Sequence, residues 1–386
     1  MDLNPFRAAV CKSALFARER NLQEKEGKNA MKVAQVAPLY ESVPPKLYGG
    51  TERVVSYIAE ELVNEGHDVT LYASGDSVTT AELRPICEQA LRLKGSDITD
   101  PLADHIRMLE IVAQDAGEFD IVHFHIDYLH FPVTRRQNYP AVTTLHGRLD
   151  IPELQALFRE FPEMNLVSIS NSQREPMRWA NWIGTVHHGL PENLYSPTYT
   201  GGKYLAFIGR ISPEKRVDRA IEVAKRTGMP LKIAAKIDKV DQDYFDAKIK
   251  GLLDHSLVEY IGEIGEHEKE EFLGNASALL FLIDWQEPFG LVLTESMACG
   301  TPIIGYGMGS VPEVIDEGIT GHIVHNMDDA ANAASRIDAL DRRTIRRVFE
   351  KRFTASRMCH DYLNIYQRIR DGEPYLSEGE LRSSTV

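Results

Sequence analysis

The chain has 386 residues, a formal net charge of −14 and a sequence pI of about 5.4, which disfavours nonspecific binding to nucleic acid or anionic lipid. Four cysteines without CxxC spacing exclude a zinc-ribbon pattern and a disulfide framework. No apolar run approaches the length of a membrane span. We therefore expect a cytoplasmic protein, and the length favours two domains.

Residues 1–30 are polar and charged, without the apolar segment of a signal peptide, and we expect a tail. From Met31 onward, short apolar runs alternate with longer amphipathic ones. This alternation predicts parallel βα units in a doubly wound first domain, residues 31–195. Its predicted strands are Val33–Ala37, Asp68–Ala73, Ile121–Phe124, Ala141–Leu145 and Leu166–Ile169, and its predicted helices are Thr51–Glu65 and Pro101–Ala116.

The loop after the first strand contains Gly49 and Gly50 and leads into a helix, with Thr51 as the predicted N-cap. Glycines let backbone N–H groups approach an anion, and a helix N-terminus adds a favourable dipole. A plain turn explains a glycine pair equally well. His146 ends a later strand and should face a cleft, where a neutral imidazole binds a ligand hydroxyl, unless it is a satisfied core histidine.

Other histidines of the first half carry weaker signals. His123, His125 and Asp127 follow one strand, but their spacing is not a firm zinc pattern. His187 and His188 are interpreted as structural.

Residues 191–203 are rich in Pro, Gly, Thr and Tyr and predict a hinge, after which the βα pattern restarts in a second domain, residues 196–353. Two such domains facing each other leave a cleft between their carboxyl edges. We expect a helix at 354–370 to pack across the junction, followed by a tail at 371–386. The predicted strands are Tyr204–Ile208, Leu231–Ala235, Val258–Ile261, Ser277–Ile283 and Ile303–Tyr306, and the predicted helices are Val217–Thr227, one from near Pro288 to Ala298 and a short one from Pro312.

The first loop of the second half contains Arg210 and Lys215. Ser212 and Pro213 fit an N-cap and first helical position, which predicts Lys215 in the first helical turn. A cation there opposes the helix dipole by about 0.3–1 kcal/mol. Charge-assisted hydrogen bonds to a phosphate contribute about 1.5–3 kcal/mol each, so a bound diphosphate would offset that cost. The alternative is two surface cations.

Glu287 and Glu295 flank the start of the helix near Pro288. We place Glu287 on the loop and Glu295 inside the helix, so that both point to the edge of the sheet where open α/β sheets bind ligands. Carboxylates accept hydrogen bonds from the vicinal hydroxyls of a sugar or ribose. A solvated helix face with two acids is the alternative.

Two further patterns are interpreted as structural. Asp241 and Asp243 match the DxD pattern of metal-dependent sugar transferases, but they lie in a polar, helix-like stretch for which we expect a solvated face. The basic cluster at 342–352 is interleaved with apolar residues at helical spacing, which favours an ordinary amphipathic helix over a lipid-binding surface.

Taken in order, five motifs resemble those of the retaining family-4 glycosyltransferases, a glycogen synthase-like group also called glycosyl transferases group 1. The resemblance covers about residues 31–370 and implies the α/β GT-B fold, with two Rossmann-like domains facing across a cleft. The motifs are Gly49-Gly50, His146-Gly147, Gly209-Arg210 with Lys215, Glu287 with Glu295, and Gly309-Ser310-Val311-Pro312-Glu313.

The resemblance implies a role for each site residue. Arg210 and Lys215 would bind the diphosphate of a nucleotide sugar and stabilise the leaving group, with Gly50 approaching from the first domain. Glu295 would bind the ribose, and Glu287 the transferred sugar near His146. The remaining implied donor contacts are Gly49, Gly262, Ile264, Phe289, Gly290 and Leu291. No metal or other cofactor is implied. His188 departs from the family, in which asparagine is common, and this departure concerns the acceptor side.

The predicted activity is transfer of a hexose-type sugar, with retention, from a nucleotide-diphosphate sugar to an unidentified acceptor. A nucleotide-sugar 2-epimerase of similar shape and a non-catalytic sugar-binding protein are the alternatives. The base stays open between uridine, guanosine and adenosine, with a UDP-sugar favoured. The acceptor stays open between a saccharide, a small molecule and a lipid-linked group, and so does the oligomeric state.

Overall fold

The fold was analysed in a computed structural model that describes residues 30–46, 49–97 and 100–372. Most of the tails predicted at 1–30 and 371–386, namely residues 1–29 and 373–386, lie outside the described residues, as does Tyr48 beside the first glycine pair.

The first sheet has seven parallel strands in the order β3-β2-β1-β4-β5-β6-β7. All five predicted strands are present. The two additional strands lie at the edges of the sheet, and one of them, Glu82–Pro85, is polar and ends in proline, so it lacks an apolar signal. The strands are β1 Lys32–Val36, β2 Asp68–Ala73, β3 Glu82–Pro85, β4 Ile121–Phe124, β5 Ala141–Thr144, β6 Leu166–Ser168 and β7 Trp182–Thr185.

The second sheet has six parallel strands in the order β10-β9-β8-β11-β12-β13. The second sheet and the first six strands of the first sheet therefore both run third, second, first, fourth, fifth, sixth in chain order, which is the doubly wound Rossmann arrangement. In each sheet the winding reverses between the first and the fourth strand. The strands are β8 Tyr204–Arg210, β9 Leu231–Lys236, β10 Val258–Gly262, β11 Ala276–Phe281, β12 Ile303–Tyr306 and β13 Gly321–Val324.

Helices connect and cover the strands of both sheets. Those of four or more residues are α1 Gly50–Asn64, α2 Pro101–Asp115, α3 Phe131–Gln137, α4 Pro152–Glu160, α5 Asn171–Arg174, α6 Val217–Thr227, α7 Glu266–Gly274, α8 Leu291–Ala298, α9 Val311–Val314, α10 Met327–Ser335, α11 Arg342–Arg352 and α12 Ala355–Arg370. The shorter or irregular segments are the 3₁₀ turns Leu91–Asp97, Ala116–Glu118, Glu175–Met177, Lys239–Asp241, Lys250–Leu252 and Ile337–Ala339, the α turn Gln242–Tyr244 and the π segment Phe245–Ile249.

The last helix, α12, lies against the first sheet although it follows the second one in the chain. Where it begins, the backbone of Leu190 hydrogen-bonds Phe353 at 2.9 Å and Ala355 at 2.7 Å. Tyr362 and Tyr366 of this helix are fully buried and hydrogen-bond polar side chains on the strands of the first sheet. The C-terminal segment therefore ties the second domain back to the first.

The basic helix α11 is amphipathic, and its buried arginines are structural. The guanidinium of Arg342 donates to the carbonyls of Thr198 at 3.2 Å and Gly274 at 3.1 Å, and that of Arg346 donates to the carbonyl of Ala298 at 2.8 Å. Within the described residues, no helix is both long and apolar enough to cross a membrane.

Candidate active site

A cavity of about 840 Å³ lies where the carboxyl ends of the two sheets face each other. Loops that follow β1, β4 and β5 line it from one side, and loops that follow β8, β10 and β11 line it from the other. Of the predicted site residues, Gly262 ends β10 and does not line the cavity. The predicted residues that do line it are Gly49, Gly50, His146, Arg210, Lys215, Ile264, Glu287, Phe289, Gly290, Leu291 and Glu295.

Two helix N-termini meet at this cavity, one from each domain. Helix α1 begins at Gly50 with Gly49 as its N-cap, so the prediction of Thr51 as N-cap is wrong. Gly49 packs so closely that a Cβ atom would lie 2.7 Å from Cβ of Pro45. A Cβ at Gly50 would lie 3.8 Å from Leu291, where α8 begins. Backbone N–H groups from both domains are therefore available to one anion.

Lys215 lies in a turn before α6 and not in its first helical turn, so that prediction is wrong. The helix begins at Val217, and its N-cap Arg216 has a left-handed backbone with φ of 54°. The turn is closed by a hydrogen bond of 3.2 Å from the amide of Lys215 to the carbonyl of Ser212. The dipole cost expected for Lys215 in the helix therefore does not apply.

Lys215 and Glu287 form an ion pair that joins the loops after β8 and β11. These strands are neighbours at the point where the winding of the second sheet reverses, the usual ligand site of such sheets. The indole N–H of Trp285 donates to the same carboxylate at 3.1 Å. Both side chains of the pair are mostly buried, with 23% and 12% exposed. A cation and a carboxylate therefore lie side by side in the cavity wall.

Arg210 is surrounded by carboxylates. Its guanidinium pairs with Glu214, with Asp238 at 3.6 Å and with Asp241 at 3.3 Å. Asp241 is only 8% exposed, so the predicted solvated face is wrong at this position, whereas Asp243 is exposed. The two aspartates thus point to different environments, and no group of three or more His, Cys, Asp or Glu side chains suited to a metal occurs within the described ranges.

Glu295 lies inside α8, as predicted, and is 3% exposed. Its carboxylate accepts a hydrogen bond of 2.7 Å from Lys269 on α7. Lys269 also lies 3.5 Å from Glu266, which pairs with Arg53 on α1. This series of ion pairs connects the second domain to the first, and the sequence carries no local pattern that reveals it.

The motif Gly309–Glu313 supports the loop of Glu287 from behind. Gly309 has φ of 59°, and a Cβ atom there would lie 2.4 Å from the backbone nitrogen of Glu287. The amide of Ser310 donates to the carbonyl of Glu287 at 3.0 Å, and its hydroxyl donates to the carbonyl of Phe289 at 2.6 Å. The motif therefore holds the Glu287 loop in position.

His146 is half-buried in the cavity wall of the first domain. Its Nε2 lies 2.9 Å from Nδ1 of His125, and its ring stacks on His188 with centroids 5.2 Å apart. Burial lowers the pKa of His146 to about 3, so its imidazole is neutral near pH 7. His188 lines the same cavity, so the purely structural interpretation of this residue misses its position.

Known families match both halves of the chain. Residues 48–201 match the family model of Glycosyltransferase Family 4, and residues 196–353 match that of Glycosyl transferases group 1. The chain belongs to these glycosyltransferases and has the GT-B fold. This membership supports an enzyme of the transferase class.

Individual relatives of this glycosyltransferase are distant but span its length. It is 25% identical to N-acetyl-alpha-D-glucosaminyl L-malate synthase of Bacillus anthracis over 83% of this chain and 94% of that protein. It is 23% identical to phosphatidyl-myo-inositol mannosyltransferase of Mycobacterium leprae over 88% and 97%.

Solved structures share the fold. AviGT4, a glycosyltransferase involved in avilamycin A biosynthesis, superposes with a TM-score of 0.65 and 22% identity over 90% of this chain and all of that one. Anabaena HepE in complex with UDP and glucose superposes with a TM-score of 0.68 and 16% identity over 87% and 99%.

Proposed function

We propose that this enzyme is a retaining glycosyltransferase that moves a hexose-type sugar from a nucleotide-diphosphate sugar, with UDP favoured, to a hydroxyl of an acceptor. The observation that carries the proposal is the Lys215–Glu287 pair at the switch point of the second sheet, in a cavity that the two helix N-termini also line. A cation suits a phosphate and a carboxylate suits sugar hydroxyls, so the pair fits both halves of such a donor.

In this proposal the diphosphate binds between Lys215, Arg210 and the N–H groups at Gly50. Lys215 exchanges its carboxylate partner for an oxygen of the diphosphate, which carries more negative charge than a single carboxylate. Arg210 keeps its carboxylate partners, which fix its orientation, and directs its remaining N–H capacity to the phosphate. These donors stabilise the negative charge that develops on the leaving nucleoside diphosphate, so the proposal requires no metal.

The sugar and the ribose bind along the loop and helix that follow β11. Once its lysine partner turns to phosphate, Glu287 accepts hydrogen bonds from sugar hydroxyls, and the backbone at Phe289 and Gly290 supplies donors. Glu295 binds the ribose hydroxyls while Lys269 balances its charge. The backbone near Gly262 and Ile264 contacts the base.

Retention follows if both bond changes occur on one face of the sugar. The bond from the anomeric carbon to the phosphate oxygen breaks, and the bond to the acceptor oxygen forms on the same side. The departing phosphate oxygen accepts the proton of the acceptor hydroxyl, so no side chain has to act as the base. Glu287 and neutral His146 shape the pocket around the oxocarbenium-like centre.

The related proteins support a nucleotide-sugar donor and leave the acceptor open. One similar structure holds UDP and glucose, which supports a nucleoside-diphosphate donor. The names of two relatives refer to L-malate and to phosphatidyl-myo-inositol, two acceptors of different chemistry. We therefore propose a hydroxyl-bearing acceptor, which is a saccharide, a small molecule or a lipid-linked group.

The proposal is tested by thermal stabilisation with UDP, GDP, ADP and their hexose conjugates in the presence of EDTA. We expect one base to raise the Tm of the wild-type enzyme selectively and Lys215→Ala to abolish most of that shift. Lys232→Ala serves as the matched control, because Lys232 pairs with Glu259 at 3.1 Å and does not line the cavity. No shift with any nucleotide, or an equal shift in both variants, would contradict the proposal.

A further inference from the structure

A chain of buried hydrogen bonds runs from the C-terminal helix to His146. Tyr366 on α12 contacts the side chain of Gln35 on β1, which contacts His125 just after β4, which contacts His146 just after β5. The distances along this path are 3.1 Å, 2.8 Å and 2.9 Å. Gln35 and Tyr366 are fully buried, and His125 is 2% exposed. The path therefore links a residue near the C-terminus to the wall of the active site.

The order of donors and acceptors along this hydrogen-bond path shows which ring nitrogens of His125 and His146 carry protons. The side-chain oxygen of Gln35 faces Nε2 of His125, so this nitrogen carries the proton and Nδ1 of His125 is an acceptor. Nε2 of His146 must then be the donor to Nδ1 of His125, which leaves Nδ1 of His146 without a proton. Protonation of a second ring nitrogen in this chain is opposed by burial, which lowers the pKa of His125.

Tyr366, at the other end of this hydrogen-bond path, holds Gln35 in this orientation. The amide nitrogen of Gln35 donates to the hydroxyl of Tyr366, which in turn lies 2.6 Å from Nδ1 of His123. Tyr366 therefore accepts from Gln35 and donates to His123. If Gln35 turned its amide over, every proton in the chain would reverse, and His146 would present a protonated Nδ1. The hydrogen bond to Tyr366 is the contact that holds the amide group of Gln35 at this end of the path.

The atom whose state is controlled is unsatisfied in the cavity wall. Nδ1 of His146 is buried and has no hydrogen-bond partner among the residues that the structure describes, and the same is true of Nδ1 in the adjacent ring of His188. His188 is only 4% exposed. Unpaired buried acceptors are unfavourable, and in a substrate cavity they indicate where a ligand's donor group is received.

We infer that Tyr366, acting through Gln35 and His125, is a positioning residue that holds the His146 imidazole in one orientation and in the Nε2–H tautomer, with Nδ1 free to accept from a substrate hydroxyl. The tautomer itself does not depend on the function of the enzyme. Its contribution to turnover rests on the proposed glycosyl transfer. The C-terminal helix thus contributes to the active site without lining it.

The test is ¹⁵N NMR of histidine-labelled enzyme, with the His146 signals assigned by their loss in His146→Gln. Wild-type enzyme should show a protonated Nε2 and an unprotonated Nδ1 at His146. Tyr366→Phe should shift both nitrogens toward averaged values, because the amide nitrogen of Gln35 loses its acceptor, the Tyr366 hydroxyl. Gln35→Leu should do the same and guards against a folding defect peculiar to the helix variant. Tyr72→Phe is the control, since Tyr72 on β2 is equally buried but donates its hydroxyl to Asp115 at 2.8 Å, outside the hydrogen-bond network that leads to His146.

Kinetics supply the second readout. Tyr366→Phe should lower kcat roughly 3–10-fold, the equivalent of one neutral hydrogen bond, with little change in the donor KM. Unchanged His146 nitrogen shifts in both Tyr366→Phe and Gln35→Leu would overturn the inference, as would an equal change in Tyr72→Phe. Because the nitrogen shifts are recorded without substrate, they separate failure of this inference from failure of the proposed glycosyl transfer.

Discussion

Replacing Lys215 with alanine should weaken binding of the nucleoside diphosphate and should also lower the stability of the fold. The change removes one charge-assisted hydrogen bond, which contributes about 1.5–3 kcal/mol. At about 1.4 kcal/mol for each factor of ten, Kd should rise about 10–150-fold. The upper half of that range is expected, because Glu287 is then left unpaired beside the phosphates and repels them.

The same substitution should also lower the stability of the fold. Lys215 and Glu287 are mostly buried, but the carboxylate keeps its hydrogen bond from Trp285 and lines the cavity, so loss of the pair should cost about 1–3 kcal/mol. For a domain of this size that corresponds to a fall in Tm of about 2–12 °C. Kd and Tm therefore have to be measured separately.

Isothermal titration calorimetry with the preferred nucleoside diphosphate measures the change in Kd directly. A double-mutant cycle with Glu287→Gln tests the repulsion, because Lys215→Ala should cost less affinity when the carboxylate is already neutral. Equally tight nucleotide binding by Lys215→Ala and Lys232→Ala would argue against a phosphate contact of Lys215, and an identical loss of affinity with and without the charge of Glu287 would argue against the repulsion.

Three further predictions concern the surroundings of the site. Glu295→Ala should weaken nucleotide binding and also lower Tm, because Lys269 loses its partner at 2.7 Å in a nearly buried environment. Calorimetry measures the first effect and thermal melts the second. An unchanged Kd would contradict the ribose role of Glu295. Stability should fall as pH drops from about 6.5 toward 3, because the unfolded state protonates His146 while burial keeps its folded pKa at about 3. The loss of Tm between pH 7 and pH 4.5 should therefore be smaller in His146→Gln than in the wild-type enzyme. An equal loss in both proteins would argue against this assignment. Arg342→Ala should lower the unfolding free energy by about 3 kcal/mol or more, because buried carbonyls lose their hydrogen-bond donor. Replacing the exposed Arg343 with alanine should change it by less than about 0.5 kcal/mol. Similar urea midpoints for the two variants would contradict the structural role of Arg342.

The parts of the site that depend on short-range signals could be predicted from the sequence. Glu287 lies on a loop and Glu295 in a helix, as expected, because Pro288 disfavours an earlier helix and Gly300, with φ of 73°, ends it. The alternation of apolar runs indicated both wound sheets, since buried parallel strands need continuous apolar segments. Such signals lie within a few residues of the feature that they predict.

The errors come from contacts between distant segments and from one local conformation. The turn at Lys215 depends on the left-handed backbone of Arg216. This conformation is uncommon for residues other than glycine, so the residue type at this position does not predict it. Asp241 is buried in a turn after β9, where it pairs with Arg210 at the end of β8. The path from Tyr366 to His146 joins both ends of the chain, and no periodicity in either segment encodes it.

The proposed retaining transfer can be tested by incubating EDTA-treated enzyme with UDP-, GDP- and ADP-hexoses and recording nucleoside diphosphate release and the anomeric configuration of the product by NMR. We expect release from one donor class, with the anomeric configuration retained in the first product, and at least about tenfold slower release by Glu287→Gln. Release that requires added metal, a product of inverted configuration, or full activity in Glu287→Gln would contradict it.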